Sequence, residues 1–375
     1  VSFRYAAGFN SPGLNTLVAG TPTYSYNLLT WGENTNGQLG LGNTTAYSSP
    51  KVVGSLTSWL KVTGGAYYSS SIKSDGSLWT WGRANYGTLG LGNTTAYSSP
   101  KQVGALTNWS STSMGIRTSL SVKTDGTLWA WGYNANGELG LGNTTYYSSP
   151  KQVGALTSWL YVSAGSYSTG AIKTNGTLWT WGQGDNGQLG LNNTSFYSSP
   201  MQVGSLTNWK YIFAGRKFFV SVKTDGTIWS WGRNNFGQLG QGNTTSYSSP
   251  KQIGALTSWS TASIGQDYVI AIKTDGTLWS WGRCGYGQLG LGNVTYYSSP
   301  KQVGALTSWL KSASTYFSSA AIKTDGTLWV WGANGYGQLG LGNLTYYSSP
   351  KQVGTSTTWQ TISGNFRASF FIAVG

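Results

Sequence analysis

The sequence has no histidine and a single cysteine, Cys284. These two absences exclude an internal disulfide and any metal site assembled from cysteine and histidine. They also remove the commonest general base, so acid–base catalysis would fall to a carboxylate, a lysine or a tyrosine. Carboxylates are scarce as well, with nine acidic residues in 375. Most of the aspartates (Asp75, Asp125, Asp225, Asp275 and Asp325) stand directly before glycine, where turn formation accounts for them. Gly87–Gly92 is glycine-rich but lacks the Lys-Ser/Thr ending of a phosphate loop. No apolar run approaches the ~20 residues of a membrane-spanning helix. Val1-Ser2-Phe3-Arg4-Tyr5 lacks the basic-then-apolar layout of a secretion signal. The expectation is a protein that is not an enzyme and uses no metal or cofactor.

Glycine and tryptophan are abundant, at 55 and 20 residues. That is the profile of β-structure turned by glycine and packed by aromatics. The dipeptide Trp-Gly recurs at Trp31, Trp81, Trp131, Trp181, Trp231, Trp281 and Trp331, always 50 residues apart. One unit reads as four strands: Leu60–Thr63 (A), Ser69–Lys73 (B), Ser77–Trp81 (C) and Lys101–Val103 after Pro100 (D). Asp75-Gly76 supplies the tight B–C turn, and Trp79 and Trp81 share a face by the two-residue period. Seven such units predict an all-β, seven-bladed β-propeller.

The run Ile-Lys-Thr-Asp-Gly-Thr-Leu-Trp-Ser-Trp-Gly, with Gly-Gln-Leu-Gly-Leu-Gly-Asn after it, resembles the RCC1 repeat. The Ala-Leu-Thr-Ser-Trp segment before strand A is similar to bacterial versions of that family. The resemblance spans about residues 27–375 and implies an RCC1-like propeller. It departs at one slot, where the family often carries histidine. Here Tyr68, Thr118, Ser168, Phe218, Tyr268 and Ser318 stand there, so no role of that histidine carries over.

Each end of the chain supplies half a unit. Tyr26–Trp31 provides a strand C without an A/B pair, and Gln360–Val374 reads as an A/B pair and stops. Joining them completes a seventh blade and removes open sheet edges. Residues 1–26 are then left over as an N-terminal arm. Tyr5-Ala6-Ala7-Gly8 echoes a strand A, so an eighth partial blade is the rival arrangement. Phe3, Tyr5, Phe9, Leu14, Leu17 and Val18 give the arm more apolar surface than a free segment should expose, which predicts docking onto another subunit.

The seven copies can be compared with one another. B–C turns and D–A connectors are nearly uniform, whereas A–B loops and the starts of C–D loops vary. The variable set comprises Tyr67, Tyr68, Arg117, Tyr167, Arg216, Lys217, Phe218, Asp267, Tyr268, Tyr316, Phe317, Phe366 and Arg367. Tyrosine, phenylalanine and arginine are the usual anchors of interfaces, so this face is the candidate site for a protein or glycan ligand.

The paired tryptophans read as blade-to-blade packing. Lys73, Lys123, Lys173, Lys223, Lys273 and Lys323 end strand B, and a second lysine series follows the Ser-Ser-Pro turn. The net charge of +14 is therefore spread around the ring, not gathered into the stripe that binds nucleic acid. On the variable face Glu33, Glu138, Asp185 and Asp267 offset much of the arginine charge. Asparagines from Asn43 to Asn343 begin N-x-S/T sequences, for which turn formation is a sufficient account.

Three functional classes remain. Residues 3–22 resemble N-terminal anchoring segments of structural proteins in marine tailed phages, which implies a virion-surface decoration or receptor-binding protein. The alternatives are a secreted bacterial adhesin or lectin-like module, and a soluble protein-binding propeller of exchange-factor or inhibitor type. The expected setting is the virion surface or the extracellular space.

Overall fold

Each repeat builds the same antiparallel sheet for local reasons that the second copy shows. Its strands are Trp59–Gly64 (A), Tyr68–Lys73 (B), Leu78–Gly82 (C) and Tyr97–Gln102 (D), paired in the order A-B-C-D. In the B–C turn, Asp75 Oδ1 accepts from the Ser77 amide at 2.9 Å and from the Ser77 hydroxyl at 2.6 Å. The Ser77 hydroxyl in turn accepts from the Trp79 indole at 2.9 Å. Gly76 has φ +79°, and a Cβ there would stand 2.0 Å from the Thr107 carbonyl oxygen. Only glycine fits.

Strand D begins four residues earlier than the sequence suggests and contains Pro100. The reason is its place at the outer edge of the blade. Its pairing with strand C shifts register between Thr80 and Gly82, and a proline without an N–H is tolerated at such an edge bulge.

The computed structural model describes residues 27–375. The predicted arm, with Phe3, Tyr5, Phe9, Leu14, Leu17 and Val18, lies outside the described residues. The rest forms seven four-stranded sheets around one axis. The seventh closes the ring as expected: Leu28–Gly32 pairs with Phe370–Val374 in register from Leu28↔Val374 to Gly32↔Phe370. Thr361–Ser363 lies inside that pair and Tyr47–Val52 outside it.

The seams between blades are built on strand-C tryptophans. Trp131 is fully buried, and its indole N–H donates to the Thr88 carbonyl of the preceding blade at 2.9 Å. Gly90, at φ +73°, makes room: a Cβ there would be 2.7 Å from Trp131 Nε1. Trp109 wedges edge-on against Trp129 and Trp131, its centroid 6.2 Å from each, over Ile72, Leu78 and Val103 of the preceding blade. The closing seam repeats this. Trp31 donates to the Gln338 carbonyl at 2.9 Å and meets Trp359 at 5.8 Å.

The strand-B lysines belong to the packing, which corrects their reading as dispersed surface charge. Lys123 Nζ lies 3.8 Å from the Trp129 ring centroid and 4.8 Å from that of Trp109. Lys173, Lys223, Lys273 and Lys323 are clamped likewise and are nearly buried. Burial holds the Lys123, Lys173, Lys223 and Lys273 ammonium groups below the ordinary lysine range. The strand-A lysine Lys311 donates to the Gln360 carbonyl of the next blade, and burial pushes it down to about 8.

Two outcomes follow. Deleting Gln360–Gly375 strips the seventh blade of strands A and B and exposes an edge of Leu28–Gly32. The truncated chain should aggregate on size-exclusion chromatography. Soluble monomer with the parent's melting temperature would contradict ring closure. The second outcome concerns pH. Between about 8 and the unfolded value of 10.5, the unfolded chain keeps a proton that folded Lys311 has lost, so stability rises with pH. The urea midpoint should rise from pH 7.5 to 9.5, and by less in Lys311→Met.

Candidate ligand-binding face

The A–B loops and the starts of the C–D loops meet at one end of the ring. At the first loop position Ala66, Ile116 and Phe366 pack together as an apolar plug, whereas Arg216 and Tyr316 stay half-exposed. The strands A below them line a narrow channel of mixed character, with Thr63, Ser113 and Ser263 beside Phe213, Met114 and Ile264.

The second loop position is half-exposed in six copies, and most of these side chains pair with a cation, aromatic or acid of their own or an adjoining blade. The Arg83 guanidinium lies 5.4 Å from the Tyr67 ring. Arg117 lies between Tyr86 at 5.2 Å and Tyr133 at 5.6 Å. Arg283 sits between Phe317 at 4.9 Å and Phe236 at 5.2 Å. Arg367 covers Tyr316 at 5.4 Å and donates to its hydroxyl at 3.2 Å. Lys217 instead pairs with Asp185 at 2.8 Å. An exposed cation–π pair contributes about 0.5–1 kcal/mol. These pairs hold arginine and aromatic side chains flat and half-exposed, which lowers the entropy that a ligand must remove.

Of the residues expected on this face, Tyr67, Arg117, Tyr167, Arg216, Lys217, Tyr316, Phe317 and Arg367 are half-buried and accessible. Tyr68, Phe218, Tyr268, Phe366 and Asp267 are not. Tyr68 and Tyr268 are pegs between blades. Their hydroxyls donate to the Thr118 carbonyl at 2.7 Å and the Ser318 carbonyl at 2.6 Å. Phe218 fills the same slot with apolar packing, and Phe366 is part of the plug. The slot where related repeats carry histidine is thus a structural one in this chain.

Sequence reasoning missed an outer aromatic tier on the C–D loops. Tyr86, Tyr133 and Tyr146 form an edge-and-face trio, the last two 4.8 Å apart. Burial and the Tyr146 hydroxyl push the Tyr133 phenol up to about 12. Tyr286 and Phe317 meet at 4.6 Å. The signal was present, because positions 86 and 146 and their copies also vary, though less than the A–B loops, and take an aromatic in several copies.

The charge balance also changes. Glu138 is 1% exposed and turned inward to cap Asn136, and Asp267 is buried. The accessible acids are Glu33 and Asp185, against Arg83, Arg117, Arg216, Lys217, Arg233, Arg283 and Arg367. The opposite face satisfies itself through its Asp-Gly turns. Among the described residues, no group of three His, Cys, Asp or Glu side chains comes together. No helix there is long and apolar enough to cross a membrane. The N-x-S/T asparagines are engaged in turns: Asn43 Oδ1 accepts from the Thr45 amide at 3.0 Å, and its Nδ2 donates to the Tyr47 hydroxyl at 3.2 Å.

The model of the Regulator of chromosome condensation (RCC1) repeat matches residues 27–72, 75–122, 125–172, 175–222, 225–272, 275–322 and 325–364. The chain belongs to the RCC1 repeat family. A second RCC1 repeat model matches residues 160–188 and 209–238. A search of the curated proteins found no match. Among solved structures, this RCC1 propeller is similar to Prp20p from Saccharomyces cerevisiae, described with its binding to Gsp1p and histones. Identity is 19% over 94% of this chain and 92% of that one, with a TM-score of 0.83. Yeast RCC1 (Prp20) bound to Kap60 gives 18% identity over 100% and 94%, with a TM-score of 0.83. Human WBSCR16 gives 18% over 94% and 99%, with a TM-score of 0.82. At these identities the likeness speaks for the fold.

The two roles within the A–B loops of this RCC1 propeller are separable. Tyr268→Phe removes the hydroxyl that donates to the Ser318 carbonyl and accepts from the Ser319 hydroxyl, and should cost about 0.5–1.5 kcal/mol for each bond in chemical denaturation. Arg117→Gln, which loses only its contacts with Tyr86 and Tyr133, should cost less than about 1 kcal/mol. A larger loss in the arginine variant would mean that the cation–π pairs are structural instead.

Proposed function

We propose that this RCC1 propeller is a non-enzymatic recognition protein that presents its variable face to a ligand. The observation that supports this reading is the contrast between the two faces of one ring. One repeats the same self-satisfied turns, while the other carries an accessible cation or aromatic at the second loop position of six copies, several of them held in cation–π pairs. Variable loops on a rigid scaffold are a common way to build a binding surface.

The setting we propose is a virion surface. Residues 1–26 would act as an arm that docks on another subunit and leaves the variable face pointing outward. The support is the resemblance of residues 3–22 to phage anchoring segments, together with the apolar content of the arm. A chain beginning at Tyr26 should keep the parent's melting temperature and fail to join the particle; if it unfolds, the arm belongs to the ring.

The face itself is tested by substituting accessible residues only. Changing Tyr67, Arg117, Tyr167, Arg216, Lys217 and Tyr316 together to serine should abolish retention of fluorescently labelled protein on bacterial cells, with folding unchanged by circular dichroism. Replacing Lys73, Lys123 and Lys273 with glutamine should lower stability while leaving retention intact. The reverse ranking would move the site to the uniform face.

A further inference from the structure

One sector of the variable face breaks the pattern of the others. At the second loop position six copies carry Tyr67, Arg117, Tyr167, Lys217, Phe317 or Arg367; the fifth blade carries Asp267. Its side chain is 1% exposed, and neither carboxylate oxygen has a hydrogen-bond partner. The nearest cation, Arg283 Nη1, stands 3.8 Å away, beyond hydrogen-bond range. Arg216 and Arg233 of the preceding blade, and Arg367 from two blades further on, act on the same carboxylate.

Other groups in this sector are unpaired too. Gln266, 3% exposed, has a free Oε1, and the buried Arg283 Nε has no acceptor. A buried carboxylate without hydrogen bonds is costly, by several kcal/mol. Its persistence here points to a ligand that completes it.

The missing complement can be read off atom by atom. Asp267 and Gln266 present acceptors, so the ligand must bring hydrogen-bond donors. The guanidiniums outnumber the single carboxylate, so it must carry negative charge, which also disfavours a lysine or arginine side chain. Phe317, Phe236 and Tyr286 offer flat apolar flanks. A phosphodiester backbone brings charge without enough donors, and a neutral sugar brings donors without charge.

Resting on the reading of this face as the binding face, we propose that the Asp267 sector binds an acidic glycan. Its carboxylate or sulfate would be held by Arg216, Arg233 and Arg283; drawing the Arg283 guanidinium outward would uncover Asp267 and Gln266, buried in the free ring, for its hydroxyls, and its ring would lie on the aromatic flank. Bidentate guanidinium–anion bonding suits the first contact, and a charged acceptor makes the hydroxyl bonds strong.

The decisive experiment is calorimetric titration of the full chain with oligoalginate, dextran sulfate, neutral dextran, poly-L-glutamate and oligothymidylate. Binding of oligoalginate or dextran sulfate, but of none of the other three, is expected. Asp267→Asn should weaken it about tenfold, since each bond to a charged acceptor is worth that much or more. Arg283→Gln should weaken it by a similar factor. A site that merely attracts anions would behave oppositely, because removing a like charge would tighten binding in Asp267→Asn. That result, or equal binding of poly-L-glutamate or oligothymidylate, would overturn the proposal. So would an absence of glycan binding. Retention on cells that is still lost in the six-residue serine variant would then show that the face survives as a binding surface while its glycan reading fails.

Discussion

The ring depends on one contact, repeated at every seam: a buried strand-C indole donating to a backbone carbonyl of the preceding blade, over a glycine that cannot carry a side chain. Thr88 and Gly90 receive Trp131 in this way, and Gln338 and Gly340 receive Trp31. The carbonyl and the glycine are two residues apart on a loop, so their distance from the next tryptophan is fixed by chain length. An insertion in the C–D loop would lift the carbonyl off the indole and open the seam. The C–D loop accordingly keeps one length in every copy.

The same constraint explains which parts of a repeat are free to differ. The B–C turn is tied down twice, by the Asp75–Ser77–Trp79 chain and by the Gly76 carbonyl accepting from the Trp109 amide at 3.1 Å. Every copy needs those bonds, so that end stays uniform. The A–B loop is tied through its backbone: the Gly65 amide donates to the Tyr68 carbonyl at 2.7 Å and the Arg83 amide to the Tyr67 carbonyl at 3.0 Å. Those bonds ask nothing of the two side chains between. Freedom to vary is therefore structural in origin, and variation alone does not argue for binding. What argues for it is the choice of residues that filled the freedom: arginines stacked on aromatics across blades, not small polar groups.

The Trp-Gly period, the Asp-Gly turns and the complementary half-units at the two ends made the ring and its closure legible in the sequence. The candidate site was legible in outline only. Tyr68 and Tyr268 looked like loop residues because they adjoin the variable pair. Register turns them inward, since Tyr68 pairs with Gly82, whose missing side chain leaves space for the ring. The strand-B lysines were misjudged for a related reason. Lys73 lies opposite Trp59 across the A–B pair, a neighbour that only strand register reveals. Counting charges along the chain also treated Glu138 and Asp267 as surface acids, because burial has no local signature.

Asp267 shows how a near-symmetric ring acquires a direction. Seven equal blades present seven equal sectors, and a ligand smaller than the ring would have no reason to prefer one. A single substitution at a position otherwise held by cations and aromatics removes that degeneracy. Burial raises the Asp267 carboxyl's affinity for its proton, while the field of Arg233, Arg216, Arg283 and Arg367 opposes that effect. Opposed terms of this kind leave the group responsive to whatever is placed beside it, because a new donor tips the balance toward the anion and a new anion tips it back. The other sectors hold saturated pairs, such as Lys217 with Asp185 and Arg367 with Tyr316, which gain little from a further partner. In a repeat protein, selectivity then resides in the one copy whose polar groups are left incomplete.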